Sequence, residues 1–379
     1  MSFDIGAIPD LITISQSDKN KTIDDYERNR GFPAKYRFFS DKVVCYYHNK
    51  CDCVLEKYFI VATVQAIETY ITKIGTLFSL PFPRLQQGKR FPLYISNTGL
   101  HPEPGDCVNG VVGAASDYMM ILHPDVIKNI EKDQTVIIHE LGHGFFSLGG
   151  IQTWIEESLC EFLTWVFVPG YQSFYDTARD SVFKKSWINP LSTTNKPYET
   201  RYNVAIIWAF IGNLYGNNRI GEIANNAFKN QDPNKHGFEL LAEYLKTPVN
   251  DLALKWALAC INLSFFTPSI HGIYIQKYFA GKGFTKKTPI TWNISSFTYD
   301  SYRTNANGVT KRTELYGFEV SDPVILTTPI KPPTDGVGKW IVRYLVYNSA
   351  LSMYEALLVP KGTQTCRILM VRGTKSVPA

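Results

Sequence analysis

Residues 136–143 read Val-Ile-Ile-His-Glu-Leu-Gly-His, and residues 153–161 read Thr-Trp-Ile-Glu-Glu-Ser-Leu-Cys-Glu. The first stretch lies in a segment, 133–148, whose apolar residues recur with a helical period, and the second begins another such segment, 153–168. Gly149-Gly150 separates the two segments and stops the first helix. The centre of the predicted fold is therefore a pair of consecutive helices with a short glycine connection.

The first helix carries the residues of a metal site. Residues four apart on an α-helix lie about 40° apart around its axis, so His139 and His143 can direct their imidazoles at one ion. Glu140, about 100° round the helix, stands beside the open side of that ion. An imidazole pair suits Zn²⁺, and Gly142 leaves room beside the metal. The sequence predicts one catalytic zinc ion with Glu140 as general base. The alternative is that the motif occurs by chance on a helix that has only a structural role.

A catalytic zinc ion takes three protein ligands and keeps a fourth position for water, so a third ligand is required. The third histidine of the metzincin pattern is excluded, because Phe146 and Gly149 stand where that pattern needs Gly and His. A purely structural site would be closed by a fourth ligand, for which Cys160 is a possible residue, but packing in the buried core is the favoured interpretation of this thiol. The second helix also carries three glutamates: Glu156, Glu157 and Glu161.

The stretch from Trp154 to Glu161 resembles the second helix of the gluzincins, a class of zinc peptidases. Alignment on Trp154 puts Glu157 at the zinc-ligand position of that class and Glu161 at the acidic position that supports a metal-binding histidine. The resemblance implies a zinc ion held by His139, His143 and Glu157, with Glu161 behind the ligands. Only 13 residues separate His143 from Glu157, fewer than in that class, and this leaves Glu161 as the alternative ligand.

A longer pattern resembles a family of secreted metallopeptidases of bacteria and fungi. It comprises a strand at 118–122, the helix with His-Glu-Leu-Gly-His, the Trp-Ile-Glu-Glu stretch, and Tyr316-Gly317-Phe318 at the entrance to a β-rich region. The resemblance spans roughly residues 38–370 and implies a secreted zincin. Residues 1–15 contain no basic segment typical of a secretory signal, so a cytoplasmic protein is the alternative.

The whole chain predicts an α+β fold with three parts. Residues 1–35 form a polar lead-in segment, and 36–285 form a zincin-like metallopeptidase domain with a small sheet and a mostly helical lower half. Residues 286–379 have alternating, β-rich character and form a C-terminal all-β, sandwich-like module. The predicted domain boundary therefore lies near residue 285.

Four segments before the motif position it in the predicted fold. Residues 36–47 have the composition of a strand, and 56–78 have a helical period ended by Gly75. Residues 109–115 form a Gly-rich turn, and 118–122 form a short strand. We expect this strand at the edge of the cleft, where an extended peptide can add by backbone hydrogen bonds.

Peptide hydrolysis also needs a donor to the developing oxyanion. Tyr202 opens an apolar helix that ends at Gly216 and resembles the tyrosine of the corresponding helix in zinc aminopeptidases. It is the predicted donor. Four other side chains remain alternatives: Tyr198, Arg201, His236 and His271.

These features favour a zinc-dependent endopeptidase that acts on a polypeptide or glycoprotein substrate. An aminopeptidase is the second hypothesis, although the sequence has no Gly-x-Met-Glu-Asn motif to bind a substrate amine. The third is a carbohydrate- or surface-binding protein with a degenerate peptidase domain. Its stacking face would use aromatic residues of the C-terminal module: Trp292, Tyr299, Tyr302 and Trp340.

Composition excludes several other classes. The 379 residues carry a net charge of +5, and the 39 basic residues form no long run, so nucleic acid is not an expected partner. The sequence contains no stretch of about 18 uncharged apolar residues, so no membrane span is predicted. An odd number of cysteines, seven, leaves at least one unpaired. Three glycosylation sequons occur, at Asn20, Asn262 and Asn293.

Overall fold

The computed structural model describes residues 12–13, 36–47, 57–82, 85, 88–95, 113–115, 119–130, 133–146, 153–168, 205–224, 237–262, 299–305, 308–314, 317–320, 324–326, 340–351, 353–359, 364–372 and 377–378. The chain divides into two compact units. The first contains Met1–Gly149 and Leu159–Val168, and the second contains Gly150–Ser158 and Pro169–Ala379.

The first unit contains a six-stranded mixed sheet. Its strands are β1 (Ile12–Thr13), β2 (Tyr36–Phe39), β3 (Val43–Tyr47), β4 (Phe91–Ile95), β5 (Gly113–Ala115) and β6 (Met120–Leu122). Their order is β1-β2-β3-β4-β6-β5. The pairs β3–β4 and β4–β6 are parallel, and the other pairs are antiparallel. Parallel neighbours need a crossover, which a helix between β3 and β4 supplies.

The predicted strand at 36–47 is a hairpin of two strands, β2 and β3, because the chain turns at residues 40–42. Glu68 on the crossover helix holds this turn. Its Oε1 accepts hydrogen bonds from Ser40 Oγ at 2.6 Å and from the Lys42 backbone N–H at 2.7 Å. The hairpin is therefore fixed to the helix that packs beneath it.

Four helices surround this sheet or continue from it: α1 (Lys57–Phe78), α2 (Pro124–Lys128), α3 (Gln134–Phe146) and α4 (Thr153–Phe167). The apolar period of α1 places Ile60, Ile67 and Ile74 in the core, all fully buried. Helix α3 packs against α1 and against β5 and β6. The core of the first unit therefore lies between the sheet and the helix that carries the two histidines.

The predicted helical segment 56–78 agrees with α1, but Gly75 is not the residue that ends the helix. The helix continues to Phe78, and Ser79 takes the left-handed conformation with φ of 50°. The Leu80 N–H then donates to the Gly75 carbonyl at 2.9 Å, and the Ser79 N–H donates to Thr76 at 3.4 Å. These two bonds form a Schellman motif, in which the residue after the last helical one needs a positive φ. Gly75 was therefore wrongly predicted as the stop signal, because Ser79 takes the position with positive φ.

The second unit contains four helices: α5 (Ile206–Tyr215), α6 (Asn217–Glu222), α7 (Gly237–Tyr244) and α8 (Val249–Asn262). Gly216, with φ of 88°, separates α5 from α6. Trp208 on α5 is fully buried, and its indole N–H donates to Ser158 Oγ at 2.7 Å. This bond joins α5 to the first turns of α4, which belong to the same unit.

The remaining strands of the second unit form antiparallel sheets. They are β7 (Tyr299–Asn305), β8 (Gly308–Glu314), β9 (Gly317–Val320), β10 (Val324–Leu326), β11 (Trp340–Asn348), β12 (Met353–Leu357), β13 (Gln364–Arg372) and β14 (Val377–Pro378). One sheet has the order β10-β13-β11-β12, with β9 also paired to β13, and the other has the order β14-β8-β7. Helix α8 packs against β12 and β13.

Asn262, the last residue of α8, fixes that helix to β12. Its Oδ1 accepts from the Tyr354 N–H at 2.7 Å, and its Nδ2 donates to the Tyr354 carbonyl at 3.0 Å. The side chain is almost completely buried. Asn262 therefore satisfies a buried backbone position and is not accessible as the glycosylation acceptor that its sequon suggests.

The structure confirms a mixed helix and sheet, α+β fold. Strands fill much of the region from 299 to 378, as the alternating sequence predicts. Residues 263–298, which contain the predicted boundary near 285, lie outside the described part of the chain. The separate C-terminal module and the lead-in segment 1–35 therefore stay predictions.

Candidate metal centre

Helix α3 brings the two motif histidines together. His139 and His143 are one turn apart, and their ring centroids are 5.2 Å apart with the planes inclined at 70°. Both side chains are half-buried, whereas Ile138, just before His139, and Leu141, between the histidines, are fully buried. The helix therefore buries its apolar face in the core and leaves the imidazole face partly open.

Cys160 on α4 completes a group of possible metal ligands. One ring nitrogen of His139, one of His143 and Cys160 Sγ all lie within 4.8 Å of one another. Cys160 is fully buried and forms no disulfide. Sequence reasoning favoured core packing for this residue; the structure shows both core burial and proximity to the two histidines. The distances from Cys160 to the two histidines depend on how α3 and α4 pack, which the sequence alone does not show.

Gly142 allows that packing. A methyl group added at Gly142 would lie 2.7 Å from Cys160 Sγ and 3.0 Å from Cys160 Cα. Carbon atoms do not approach so closely, so only glycine permits this separation of the two helices. Gly142 was predicted to leave room beside the metal, and the structure shows Cys160 packed against it.

Glu161 lies next to the imidazole of His139. Its Oε2 is 3.7 Å from His139 Nδ1, and the carboxylate is buried, with 5% of the residue exposed. Its Oε1 is buried and has no hydrogen-bond partner among the described residues. A carboxylate beside one ring nitrogen orients the imidazole and leaves the other nitrogen for a metal ion. An unsatisfied buried carboxylate oxygen is costly and indicates that a cation belongs nearby.

The donor set fits a zinc ion. Zinc binds imidazole nitrogen at about 2.0–2.1 Å and thiolate sulfur at about 2.3 Å, which puts tetrahedral ligands about 3.3–3.6 Å apart. Ligand atoms within 4.8 Å of one another need only small side-chain rotations to reach that spacing. Nitrogen and sulfur donors also suit Zn²⁺ better than Mg²⁺ or Ca²⁺.

Glu140 and Glu157, the other two acidic residues predicted for the site, lie on α3 and α4. Glu140 follows His139 on α3 and is buried, with 8% exposed. Glu157 is half-buried on α4, three residues before Cys160 and four before Glu161. On a helix, residues three and four apart share a face, so these three side chains of α4 lie along one face. The roles of Glu140 and Glu157 stay predictions.

Tyr202, the predicted oxyanion donor, lies outside the described residues, as do the four alternatives: Tyr198, Arg201, His236 and His271. The helix that Tyr202 was expected to open is α5, which begins at Ile206. The oxyanion donor therefore stays a prediction.

The predicted cleft edge was wrong. Strand β6, within the segment 118–122, is hydrogen-bonded to β4 on one side and β5 on the other, so it has no free edge. Strand β5 is one of the two outermost strands of the described sheet, opposite β1, and it packs against α3. It forms at the end of the segment that the glycine pattern assigned to a turn. The edge beside the histidine helix is therefore Gly113–Ala115.

The aromatic residues of the proposed stacking face do not share one sheet. Tyr299 and Tyr302 lie on β7, and Trp340 lies on β11 of the other sheet. Trp292 lies outside the described residues. The observed strand arrangement thus gives no support to a common binding face. In the described part of the chain, no helix is long and apolar enough to cross a membrane.

No known protein family matches the sequence, and no curated protein sequence matches it. Among solved structures, the ZmpB metallopeptidase from Clostridium perfringens is similar, with 12% sequence identity and a TM-score of 0.33, over 96% of this chain and 72% of that chain. The catalytic module of the metalloprotease ZmpA from the same organism has 11% identity and a TM-score of 0.35, over 96% and 70%. Because both TM-scores are low, only this chain's own side chains indicate its function.

Proposed function

We propose that this chain is a zinc-dependent peptidase that cleaves internal peptide bonds. The proposal is supported chiefly by the convergence of His139 and His143 on α3, with the Glu161 carboxylate at 3.7 Å from His139 Nδ1. This arrangement combines two metal ligands with an orienting carboxylate. If the motif had arisen by chance on a purely structural helix, a buried carboxylate beside His139 would not be expected.

The protein ligands of the ion in this proposal are His139, His143 and Glu157. Glu157 is half-buried and shares one face of α4 with Glu161. A zinc ion bound there would polarise the scissile carbonyl and acidify a water molecule. Glu161 keeps His139 in the orientation that presents its other nitrogen to the ion.

Glu140 is the general base. It accepts the proton of the attacking water and later donates it to the leaving amine. Its burial on α3 favours this role, because a site shielded from water strengthens electrostatic interactions with a reacting group. Tyr202 donates a hydrogen bond to the developing oxyanion.

An extended polypeptide or glycoprotein segment binds along β5 in this proposal. The strand is three residues long, lies at the edge of the described sheet and packs against α3. Backbone hydrogen bonds to such an edge hold a substrate with little regard for its side chains. Secretion, which the family resemblance implies, is part of the same proposal.

The test compares purified wild type with Glu140→Gln, His143→Ala and a control on β12 of the second unit, Glu355→Gln. Metal content and cleavage of a peptide library are measured for each protein. We expect Glu140→Gln to retain one zinc ion and to lose turnover by at least about 10²-fold, because base catalysis contributes that much. His143→Ala should lose the metal, and Glu355→Gln should behave as wild type. Wild-type protein without zinc, or an active Glu140→Gln variant, would contradict the proposal.

A second measurement separates the two peptidase hypotheses. The library contains each peptide both with a free amino terminus and with an acetylated one. An endopeptidase should cleave internal bonds of both forms, whereas an aminopeptidase needs the free amine and should release only terminal residues. Cleavage confined to the free-amine peptides would show that the second hypothesis is correct.

A further inference from the structure

We propose that the Cys160 thiol is a ligand of the same metal ion, so that the ion can be held through His139, His143 and Cys160 as well as through Glu157. This inference rests on the proposed function, because it requires that the two histidines bind a metal. It adds a sulfur donor to a centre for which the motif alone indicates only nitrogen and oxygen.

The geometry supports the thiol. Cys160 Sγ lies within 4.8 Å of a ring nitrogen of each histidine, so the three atoms can reach tetrahedral spacing by small rotations. The close packing of Gly142 on Cys160 fixes the sulfur between α3 and α4. Helix packing therefore already holds the sulfur beside the two imidazoles, so little conformational entropy would be lost on metal binding.

The chemistry supports it as well. A thiolate is a strong ligand for Zn²⁺, and binding would release the thiol proton to solvent as the metal–sulfur bond forms. Cys160 and Glu157 are three residues apart on one face of α4. Exchange between them would keep three protein ligands and one open position, as a catalytic zinc centre requires.

Two other thiols provide matched controls. Cys45 on β3 and Cys366 on β13 are also buried and form no disulfide. Burial raises the pKa of both thiols, which keeps them protonated. The group of metal ligands found among the described residues contains Cys160 and neither of these two.

The first experiment replaces the native ion with Co²⁺, whose bond to a thiolate gives a charge-transfer band in the near ultraviolet. Wild type, Cys160→Ser, Cys45→Ala and Cys366→Ala are each loaded with one equivalent of Co²⁺. We expect the band in wild type and in both controls and its loss in Cys160→Ser, which should still show the visible bands of bound cobalt. A band that survives in Cys160→Ser would overturn the proposal.

The second experiment needs no variant. X-ray absorption at the zinc edge of the wild-type protein should show one sulfur neighbour at about 2.3 Å beside nitrogen and oxygen neighbours at about 2.0–2.1 Å. Neighbours at the shorter distance alone would refute ligation by Cys160 and leave the peptidase proposal intact. If wild type bound neither zinc nor cobalt, the proposed function itself would fail, and this inference with it.

Discussion

Gly142 and Cys160 show how single residues determine the geometry of the centre. Between two histidines that a sequence pattern identifies easily, the glycine has no chemical role of its own. Its lack of a side chain lets Cys160 Cα approach to 3.0 Å from the position of a Cβ. The distance between the helices, and with it the position of the thiol relative to the imidazoles, therefore depends on one missing methyl group.

The substitution Gly142→Ala should separate the two helices. Alanine gains roughly 1 kcal/mol of helix propensity over glycine, but overpacking against the Cys160 backbone costs about 1–3 kcal/mol. Because that backbone cannot rotate away, we expect a net loss of stability in urea denaturation together with weaker zinc binding. The matched control is Gly144→Ala on the same helix, where the obstructing atoms belong to the Phe82 ring end at 2.9 Å. That ring can shift, so equal losses in both variants would argue against this explanation.

The substitution Glu161→Gln tests the carboxylate beside His139. It keeps the size of the side chain and removes the negative charge 3.7 Å from Nδ1. Loss of such an orienting partner typically weakens metal binding by about 10–100-fold. Zinc affinity, measured by competition with a chromophoric chelator, should fall by that factor, and Glu355→Gln on the exposed face of β12 should leave it unchanged. Wild-type affinity in Glu161→Gln would remove Glu161 from the centre.

At the level of elements, one buried side chain reinforces the packing of α8 on β12. Asn262 makes hydrogen bonds to both backbone groups of Tyr354, and the site is buried. Asn262→Ala would remove two hydrogen bonds from this buried site, at a cost of about 2–4 kcal/mol. Thermal and urea unfolding measure that loss.

Asn348 provides the control for this prediction. Its Oδ1 accepts from the Ala350 and Leu351 N–H groups at 3.0 and 3.2 Å, in an exposed turn. Water can replace those bonds, so Asn348→Ala should cost less than about 1 kcal/mol. If the two alanine variants were equally stable, burial would not be the reason for the importance of Asn262.

The elements also show what the sequence could predict. The helices α3 and α4 follow from apolar periodicity and glycine or proline stops, which are local signals. The position of β5 does not, because a three-residue strand in a Gly-rich segment is specified by its pairing with β6 and its packing on α3. The stop signal of α1 was assigned to Gly75 for a similar reason, since Ser79 adopts a conformation that sequence rules reserve for glycine.

The same distinction applies to the candidate site. His139, Glu140 and His143 were identified because their spacing on one helix carries chemical meaning, and Glu161 was identified because family resemblance fixed its register relative to Trp154. Cys160 was assigned to the core because its distance from the histidines depends on a helix crossing between residues distant in sequence. Local pattern predicts which side chains can act, whereas tertiary packing decides which of them meet.

At the scale of the whole molecule, metal binding should stabilise the two compact units unequally. The histidines, Cys160 and Glu161 belong to the first unit, whose part of α4 begins at Leu159, whereas the proposed ligand Glu157 belongs to the second. A ligand that binds only the folded state stabilises by RT ln(1 + [L]/Kd), about 2.7 kcal/mol at 100 times Kd. Amides of α3 and of residues 159–167 that exchange by unfolding of this unit should therefore exchange roughly 100-fold more slowly when zinc is present.

Hydrogen–deuterium exchange with mass spectrometry, in saturating zinc and in excess chelator, measures this difference. Peptides from β11, β12 and β13 report on the second unit and should change less, because that unit contributes only Glu157 to the proposed centre and none of the residues of the His139, His143 and Cys160 group. His143→Ala should abolish the zinc effect in α3 and leave exchange in chelator close to that of wild type. Equal protection of both units would mean that they unfold together, so that the ion stabilises the chain as one cooperative structure; no protection anywhere would mean that zinc does not bind the folded state.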